Sequence, residues 1–204
     1  MLCNCSCVWH GGGVTGQGVT QVRDSRVLAA ASHPLRRRLM DVLKVEGPAT
    51  ASILAARTDQ AVGNVSHHLK VLAAAGLIVE VPERARDKRE RWWNLASTAL
   101  RWSDSDFADD PVGQAVASAA MSINLERQVG LVRAWHGASD EQRADWGDAP
   151  FSTDKWLSMS AEELAAFEGE LQGLIDRWAS RAVPDDGARR APVFFFAHGV
   201  PAKP

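Results

Sequence analysis

The chain has 204 residues, of which 46% are hydrophobic and 24% are charged, and its formal net charge is −2. This composition supports one large or two small globular domains and excludes an intrinsically disordered chain. No apolar run reaches the roughly 18 residues that a membrane-spanning helix needs, and the first residues lack the basic and apolar regions of a secretory signal, so a cytoplasmic location is expected.

The net charge conceals an asymmetry along the chain. Residues 24–102 contain 13 Lys and Arg against 8 Asp and Glu, a net charge of +5. Residues 103–204 contain 9 against 17, a net charge of −8. A basic segment joined to an acidic one indicates that only the first part of the chain contacts a polyanion.

Residues 1–22 contain five glycines and show no hydrophobic period, which predicts a flexible tail. Cys3, Cys5, Cys7 and His10 are chemically able to bind a soft metal, but the C-x-C-x-C spacing differs from the C-x2-C of structural zinc sites. A disordered leader with reduced thiols is the favoured interpretation. No metal site and no cofactor are therefore predicted.

Four helices are predicted in the basic segment. The first begins near Asp24 and ends at a Ser-His-Pro break, and the second covers residues 35–45. Thr50 is a suitable N-cap for the third helix, whose Ile53 and Leu54 are expected to point inward.

The fourth helix, about residues 62–75, has Val65, Leu69 and Leu72 at i, i+4 and i+7, which predicts a buried face. The other side then carries four polar side chains suited to base edges and phosphates: Asn64, Ser66, His67 and Lys70. Two helices joined by a few residues are typical of a helix-turn-helix, whose second helix enters the DNA major groove. His68 is interpreted as a packed, hydrogen-bonded histidine.

A β-hairpin with a charged tip is predicted after the fourth helix. Its strands cover residues 77–81 and 91–95, with Trp93 and Leu95 inside. Four side chains at the tip are placed to reach a phosphate or the minor groove: Arg84, Arg86, Lys88 and Arg89. Charged hairpin tips are usually solvated turns, but the position beside the two-helix motif favours a wing that contacts DNA.

Three segments carry a family resemblance: HPLRRRLMDVL at 33–43, NVSHHLKVLAAAGLI at 64–78 and ERWWNL at 90–95. They resemble the winged helix-turn-helix regulators of the ArsR type. The resemblance implies a homodimer that binds double-stranded DNA at an operator with two-fold symmetry, usually as a repressor. It also implies that Arg36 contacts the DNA backbone, while Ser66 and His67 read the DNA. Arg38, in the same run of three arginines, is expected to add basic support for DNA binding.

Two positions depart from the family pattern. The metal-sensing branch has a Cys-x-Cys pair in the third helix, whereas residues 51–58 contain neither Cys nor His, so metal sensing is not expected. Relatives often have a serine that caps the recognition helix where this chain has Ala61. That alanine motivates an alternative function, a winged-helix protein-interaction module that dimerises without specific operator binding.

The acidic half is predicted to contain both helices and strands. Residues 97–111 are interpreted as a linker or short helix, and a long helix with two apolar rows on different faces is predicted at 112–135, which fits a dimerisation helix. A capping box at Ser160 begins another helix. Strands are predicted at 151–159 and 192–197.

The predicted fold class is mainly α with small β: a tail at 1–22, a winged helix-turn-helix domain at 23–98 and an α+β dimerisation and effector-binding region at 99–204. The final VFFFAHGVPAKP resembles actinobacterial ArsR-like regulators with a C-terminal extension. Four aromatic residues are candidates for lining a pocket for a small apolar effector: Trp135, Trp156, Trp178 and Phe195. Large aromatic side chains are equally expected in an ordinary core, which is the favoured interpretation.

The enzymatic motifs that sequence can reveal are missing, among them a phosphate-binding loop, G-x-S-x-G and H-E-x-x-H. The sequence therefore predicts a DNA-binding transcriptional regulator and not an enzyme.

Overall fold

The computed structural model describes residues 4–8, 18–87, 89–97 and 99–203. The chain divides into two compact units, Met1–Leu125 and Glu126–Pro204. Cys3, His10 and Lys88, which the sequence analysis singles out, lie outside the described residues.

The elements of the first unit are, in chain order, β1 (Asn4–Val8), β2 (Val19–Gln21), α1 (Ser25–Ser32), α2 (Pro34–Glu46), β3 (Ala49–Thr50), α3 (Ala51–Thr58), α4 (Val62–Ala74), β4 (Ile78–Glu80), β5 (Trp92–Leu95) and β6 (Ala99–Ser103). Short 3-10 turns cover Pro82–Arg84 and Asp104–Phe107. The long helix α5, Pro111–His136, has residues in both units, and the second unit also contains α6 (Asp140–Ala144) and α7 (Ala161–Ser180). The predicted class, mainly α with small β sheets and a winged helix-turn-helix, is confirmed.

Local sequence explains where α1 and α2 begin and end. Asp24 caps α1, because its carboxylate accepts a hydrogen bond of 2.8 Å from the backbone N–H of Arg26. Pro34 occupies the first turn of α2, where a backbone N–H would have no helical partner. Gly47 ends α2 at a φ of 82°, a conformation that favours glycine.

The core of the first unit is one cluster of buried apolar side chains from the helices and strands. Its fully buried large members are Trp102, Leu28, Leu39, Met40, Leu43, Leu54, Leu69, Leu72, Ile78, Leu95 and Val65. Each such aliphatic side chain stabilises the fold by roughly 1.5–3 kcal/mol. The buried face predicted for α4 is therefore confirmed. Ile53 was expected inside but is 38% exposed, because α3 turns the adjacent Leu54 into the core.

The sheet beside the helix-turn-helix has the order β3-β5-β4, and both pairings are antiparallel. Thr50 pairs with Trp92, and Glu80 pairs with Trp93. The start of α3 and the base of the wing are thus attached to the same central strand. Trp93 and Leu95 are buried, as the alternation predicts.

A second sheet has the order β1-β6-β2, with β1 antiparallel and β2 parallel to the central β6. The prediction of a flexible tail over residues 1–22 is thus wrong for Asn4–Val8 and Val19–Gln21. Both edges of β6 present backbone N–H and C=O groups that need partners, and these two segments supply them.

The strand β6 also corrects the prediction of a linker or short helix at 97–111. Leu100 and Trp102 are buried and alternate with the half-buried Arg101 and Ser103, which is the two-residue period of a strand. The abundance of Ser and Asp around this segment had pointed to a loop instead.

The turn after β6 is tied back to β2 by Asp106. Its carboxylate accepts hydrogen bonds from Gln21 Nε2 at 2.6 Å and from the backbone N–H of Ser103 at 2.7 Å. This side chain therefore connects the strand that precedes the helix-turn-helix to the one that follows the wing.

The first half of α5 buries a row of small residues rather than the predicted apolar rows. The buried positions are Gly113, Ala117, Ala120 and Asn124. Val112, where the predicted helix was to begin, is 70% exposed. Small side chains allow close approach: a Cβ atom at Gly113 would lie 2.9 Å from Cδ1 of Phe107.

In the second unit, α7 begins where the capping box predicts. The Ser160 hydroxyl accepts from the Glu163 N–H at 3.1 Å, and the Glu163 carboxylate accepts from the Ser160 N–H at 2.7 Å. The strands predicted at 151–159 and 192–197 are wrong, because neither segment has hydrogen-bonded strand partners. Within residues 126–203 no strand edge is present for them to join.

Among the described residues, no helix combines the length and the apolar character that crossing a bilayer requires.

Candidate nucleic-acid interface

The helix-turn-helix consists of α3, a three-residue turn and α4. Thr50 caps α3 by accepting a hydrogen bond of 3.3 Å from the Ile53 N–H. Asp59 ends the helix in the left-handed region, with φ 53° and ψ 52°, which aspartate tolerates better than most residues. The Gln60 N–H then donates to the Ala55 carbonyl at 3.0 Å. These contacts fix the angle at which α4 leaves the turn.

The polar face predicted for α4 lies on its accessible side. Asn64, His67 and Lys70 are exposed, and Ser66 is half-buried. The side chain of Asn64 donates to Gln60 Oε1 at 3.0 Å, which links this face to the turn. The helix is held from behind by its buried apolar row, so these polar groups have fixed positions on a rigid element.

The N-terminus of α4 has no side-chain cap. Ala61 occupies the N-cap position, with φ −66° and ψ 138°, and no side chain accepts a hydrogen bond from the first turn. The free N–H groups there carry a partial positive charge that favours an anion. This terminus can therefore receive a phosphate oxygen, although the hydroxyl of a capping serine is missing.

His68 lies on the inner side of α4 and stacks on His33, the residue before α2. The ring centroids are 4.7 Å apart and the planes are tilted by 39°. The prediction that His68 is packed is confirmed, but its Nδ1 has no hydrogen-bond partner, and neither has that of His33. Burial lowers the pKa of both imidazoles, and the Arg36 guanidinium lowers both further.

Arg36 is engaged within the protein. Its Nε donates to the Ala30 carbonyl at 2.6 Å and its Nη2 to the Ala29 carbonyl at 3.1 Å, at the C-terminal end of α1. Burial lowers its pKa. Arg38, two residues along α2, is exposed. Of the two arginines of α2 predicted to support DNA binding, Arg38 is thus the one whose guanidinium faces solvent.

The wing is the connection between β4 and β5. Arg84, Arg86 and Arg89 are exposed, as predicted. The guanidinium carbon of Arg84 lies 5.7 Å from the centroid of the Trp92 ring, a cation–π contact that orients this side chain. The backbone N–H of Arg86 donates to Glu90 Oε2 at 2.8 Å, which closes the tip.

A groove between α3, α4 and the wing brings three of the predicted residues together: Ser66, Lys70 and Arg89. It is also lined by Thr50, Ser52 and Arg91, which the sequence analysis missed. The signal was available, because hydroxyl residues at a helix N-terminus are common phosphate donors. Arg91 forms an ion pair of 3.4 Å with Glu80. Three cations and one carboxylate, that of Glu90, line the groove, and this net positive lining suits a polyanion.

The residues predicted to line an effector pocket are accessible. Trp156 is 64% exposed, Trp178 60% and Phe195 46%, and Trp135 is half-buried. The favoured interpretation of these aromatic residues as a core is wrong for the single chain, since none of the described residues of 126–203 is buried. A site for an apolar ligand buries most of the ligand surface. The effector pocket stays a prediction.

The described part of the chain contains no cluster of metal-ligating side chains. No group of three or more His, Cys, Asp or Glu is arranged there to hold an ion. Cys3 and His10 fall outside that part of the chain.

The comparisons with known proteins concern the same segment. Residues 31–81 match the model of a family described as a helix-turn-helix domain. This match runs from the end of α1 to the residue after β4. No curated protein matches the chain.

Several solved structures are similar to the chain. One is the homodimeric winged helix-turn-helix DNA-binding domain of a possible ArsR-family regulator from Mycobacterium bovis, 18% identical, covering 56% of this chain and 83% of that one, with a TM-score of 0.33. A possible transcriptional regulator for arsenical resistance is 27% identical, with 56% and 98% covered and a TM-score of 0.30. A transcriptional regulator from Thermotoga maritima is 16% identical, with 78% and 90% covered and a TM-score of 0.30. At these TM-scores the superpositions add nothing to the fold described above. The helix-turn-helix assignment rests on the geometry of α3 and α4 and on the family match.

Proposed function

We propose that this chain is a homodimeric DNA-binding transcriptional repressor that binds an operator with two-fold symmetry. The observation that carries the proposal is the polar face of α4, where Asn64, His67 and Lys70 are exposed on a helix anchored from behind by a buried apolar row. Helices of this kind enter the major groove, with side chains on base edges and phosphates.

The electrostatic arrangement supports the same function. Lys70, Arg89 and Arg91 surround the groove between α4 and the wing, and Arg84 and Arg86 extend the positive surface along the hairpin. Arginine and lysine supply most of the affinity for DNA through phosphate contacts, without reading sequence. In this proposal the wing positions α4, and α4 selects the site.

The homodimer and the two-fold operator come from the family resemblance. Dimers of helix-turn-helix proteins place two recognition helices in major grooves that are about 34–36 Å apart. The aromatic residues of the second unit belong to the proposal as an effector region, which would release or strengthen DNA binding when a small apolar molecule binds.

A second function is favoured by two observations: Ala61 leaves α4 without a side-chain cap, and Arg36 is occupied by the carbonyls of α1. The first removes the hydroxyl that a capping serine would offer to a phosphate. The second occupies a guanidinium that the family resemblance places at the DNA backbone. In this alternative the chain is a winged-helix module for protein interaction and dimerisation, without specific operator binding.

The experiment that separates the two functions is a gel-shift titration with the DNA upstream of the chain's own gene and with shuffled DNA of equal length. We expect the upstream DNA to bind at least about 1,000-fold more tightly at moderate salt. The double variant R84A/R86A should weaken binding to both DNAs. R133A/R143A, which removes two positive charges from the second unit, is the matched control and should bind like the wild type. Equal affinity for the two DNAs would reject the operator-binding function and leave the interaction module.

A further inference from the structure

The second unit has an apolar seam that its own chain covers only in part. In α7, Leu164, Phe167, Leu171, Leu174 and Trp178 follow one another at intervals of three, four, three and four residues. This is the spacing by which two helices pack side by side in a coiled coil. Phe167 is 45% exposed, Leu174 43% and Trp178 60%.

The chain's own C-terminal segment covers only one end of the seam. Cδ1 of Leu164 lies 3.1 Å from where a Cβ atom would stand on Gly199, so the segment passes over the start of α7. The C-terminal half of the seam, around Leu174 and Trp178, stays exposed apart from the Arg181 guanidinium, which lies 4.6 Å from the centroid of the Trp178 ring. Residues 126–203 contain no buried side chain among those described, and a globular unit of this size needs a core.

The charges along α7 indicate which partner helix can pack on the seam. Glu163, Glu170 and Arg177 are spaced by seven residues, so they lie along one flank of the seam. All three are exposed, and within the described residues none of them forms an ion pair. The flank is acidic toward the start of the helix and basic toward its end. A helix of this polarity is complementary to a second copy of itself that runs in the opposite direction.

The direction follows from which flanks meet. In an antiparallel pair the same flank of both helices meets, so Arg177 of one copy lies near Glu170 of the other. Phe167 is then level with Trp178 of the second copy, and Leu171 with Leu174. In a parallel pair, the flank of Glu163 would face that of Glu168, and two carboxylates would repel each other.

We infer that α7 is an antiparallel dimerisation helix, whose seam is covered by α7 of a second copy of this chain. The contact is isologous, as in a dimer with a two-fold axis. It supplies the apolar contacts that the second unit lacks. The inference deepens the homodimer of the proposed function and rests on it, but it concerns which surface pairs and not whether DNA binds.

The test mixes two full-length chains that carry different tags, one with E170R and the other with R177E. Each variant alone repels itself at both ends of the contact, whereas the mixed pair restores two ion pairs. We expect heterodimers to exceed random pairing by about tenfold at low salt, and this preference should shrink at high salt. Circular dichroism of each variant checks that helix content is unchanged.

The control pair is E162R with R177E. Glu162 is exposed and lies on the side of α7 opposite the seam, so its reversal cannot compensate R177E. Random mixing of E170R with R177E, equal enrichment in the control pair, or a monomeric wild type would each overturn the inference. A different outcome separates the two proposals. If the wild type does not bind the operator but E170R and R177E still prefer to pair with each other, the DNA-binding function is rejected and the α7 contact stands.

Discussion

The imidazole rings of His33 and His68 are in contact, with centroids 4.7 Å apart, and neither Nδ1 atom has a hydrogen-bond partner. His33 precedes α2 and His68 belongs to α4, so the pair joins the scaffold to the recognition helix. The charged neighbours that act on the pair are Arg36 and the adjacent imidazole of His67. A proton on either ring of the pair would face another cation in a partly dry environment.

This pair predicts acid sensitivity of the fold. Burial is the main reason that the pKa of each histidine lies below its ordinary value. The unfolded chain therefore binds more protons, and the stabilisation is complete above about pH 6.5 and is lost as the pH falls through the lowered pKa values. Urea unfolding of the wild type should show a falling midpoint between about pH 7 and pH 5. H68N should flatten this dependence.

An exposed histidine provides the control for acid sensitivity. His136, at the end of α5, is exposed, and H136Q should keep the wild-type dependence on pH. If the wild-type midpoint is the same at both ends of the range, the pair is not the acid-sensitive element.

The uncapped N-terminus of α4 predicts a stabilising substitution. A61S places a hydroxyl where it can accept a hydrogen bond from the first turn, and should raise the free energy of unfolding by about 1 kcal/mol. Chemical denaturation measures the change. A56S, at an exposed position inside α3, is the matched control and should destabilise slightly, by about 0.5 kcal/mol. A decrease for both variants would show that α4 has another cap in solution.

The tight contact at Gly113 predicts a destabilising substitution. A Cβ atom there would lie 2.5 Å from Asp110 Oδ2 and 2.9 Å from Phe107 Cδ1, so the side chains must shift. We expect G113A to lower the free energy of unfolding by about 1–3 kcal/mol. In the same helix, a Cβ atom at Gly130 would meet nothing within 4 Å. G130A should therefore raise stability by up to about 1 kcal/mol.

The polar face of α4 predicts two different effects on DNA binding. K70A should weaken binding to all sequences alike and reduce the salt dependence by about one counterion, as loss of a phosphate contact does. In the proposed complex His67 contacts a base, so H67A should cost about 1–3 kcal/mol on the operator and little on other DNA. Fluorescence anisotropy at several salt concentrations measures both. If K70A and H67A weaken binding to the operator and to other DNA in the same proportion, these separate roles are contradicted.

The sequence allowed the helix-turn-helix to be predicted because its signals are local. The row Val65, Leu69 and Leu72 follows the helical period, and the cap at Thr50 marks a helix start. The exposed site residues follow from the same period, since what does not face the core faces solvent. Ile53 shows the limit of that argument. On the short helix α3, Ile53 and Leu54 are adjacent in the sequence, yet one lies at the surface and the other in the core.

The errors of prediction arise where a partner far along the chain decides the outcome. Whether Asn4–Val8 forms a strand depends on the open edge of β6, and the run at 192–197 has no such edge. From the sequence, Arg36 was expected to be available for DNA, but it donates to backbone carbonyls at the end of α1. Every helix end has carbonyls without helical partners, so nothing in the sequence marks these as the acceptors of Arg36. The face of α5 was missed because hydrophobic periodicity gives little weight to Gly113 and to alanines.

The parallel pairing of β2 with β6 has a consequence for the order of folding. Val19 lies beside Ala99, so the whole helix-turn-helix and its wing stand in the chain between these two partners. Closing so long a loop costs chain entropy before the strands form any stabilising contact. The contacts of α3 and α4, in contrast, join residues that are close in the sequence. We therefore expect the β1-β6-β2 sheet to assemble after the rate-limiting step. Substitutions in β2 should then accelerate unfolding and leave the refolding rate nearly unchanged.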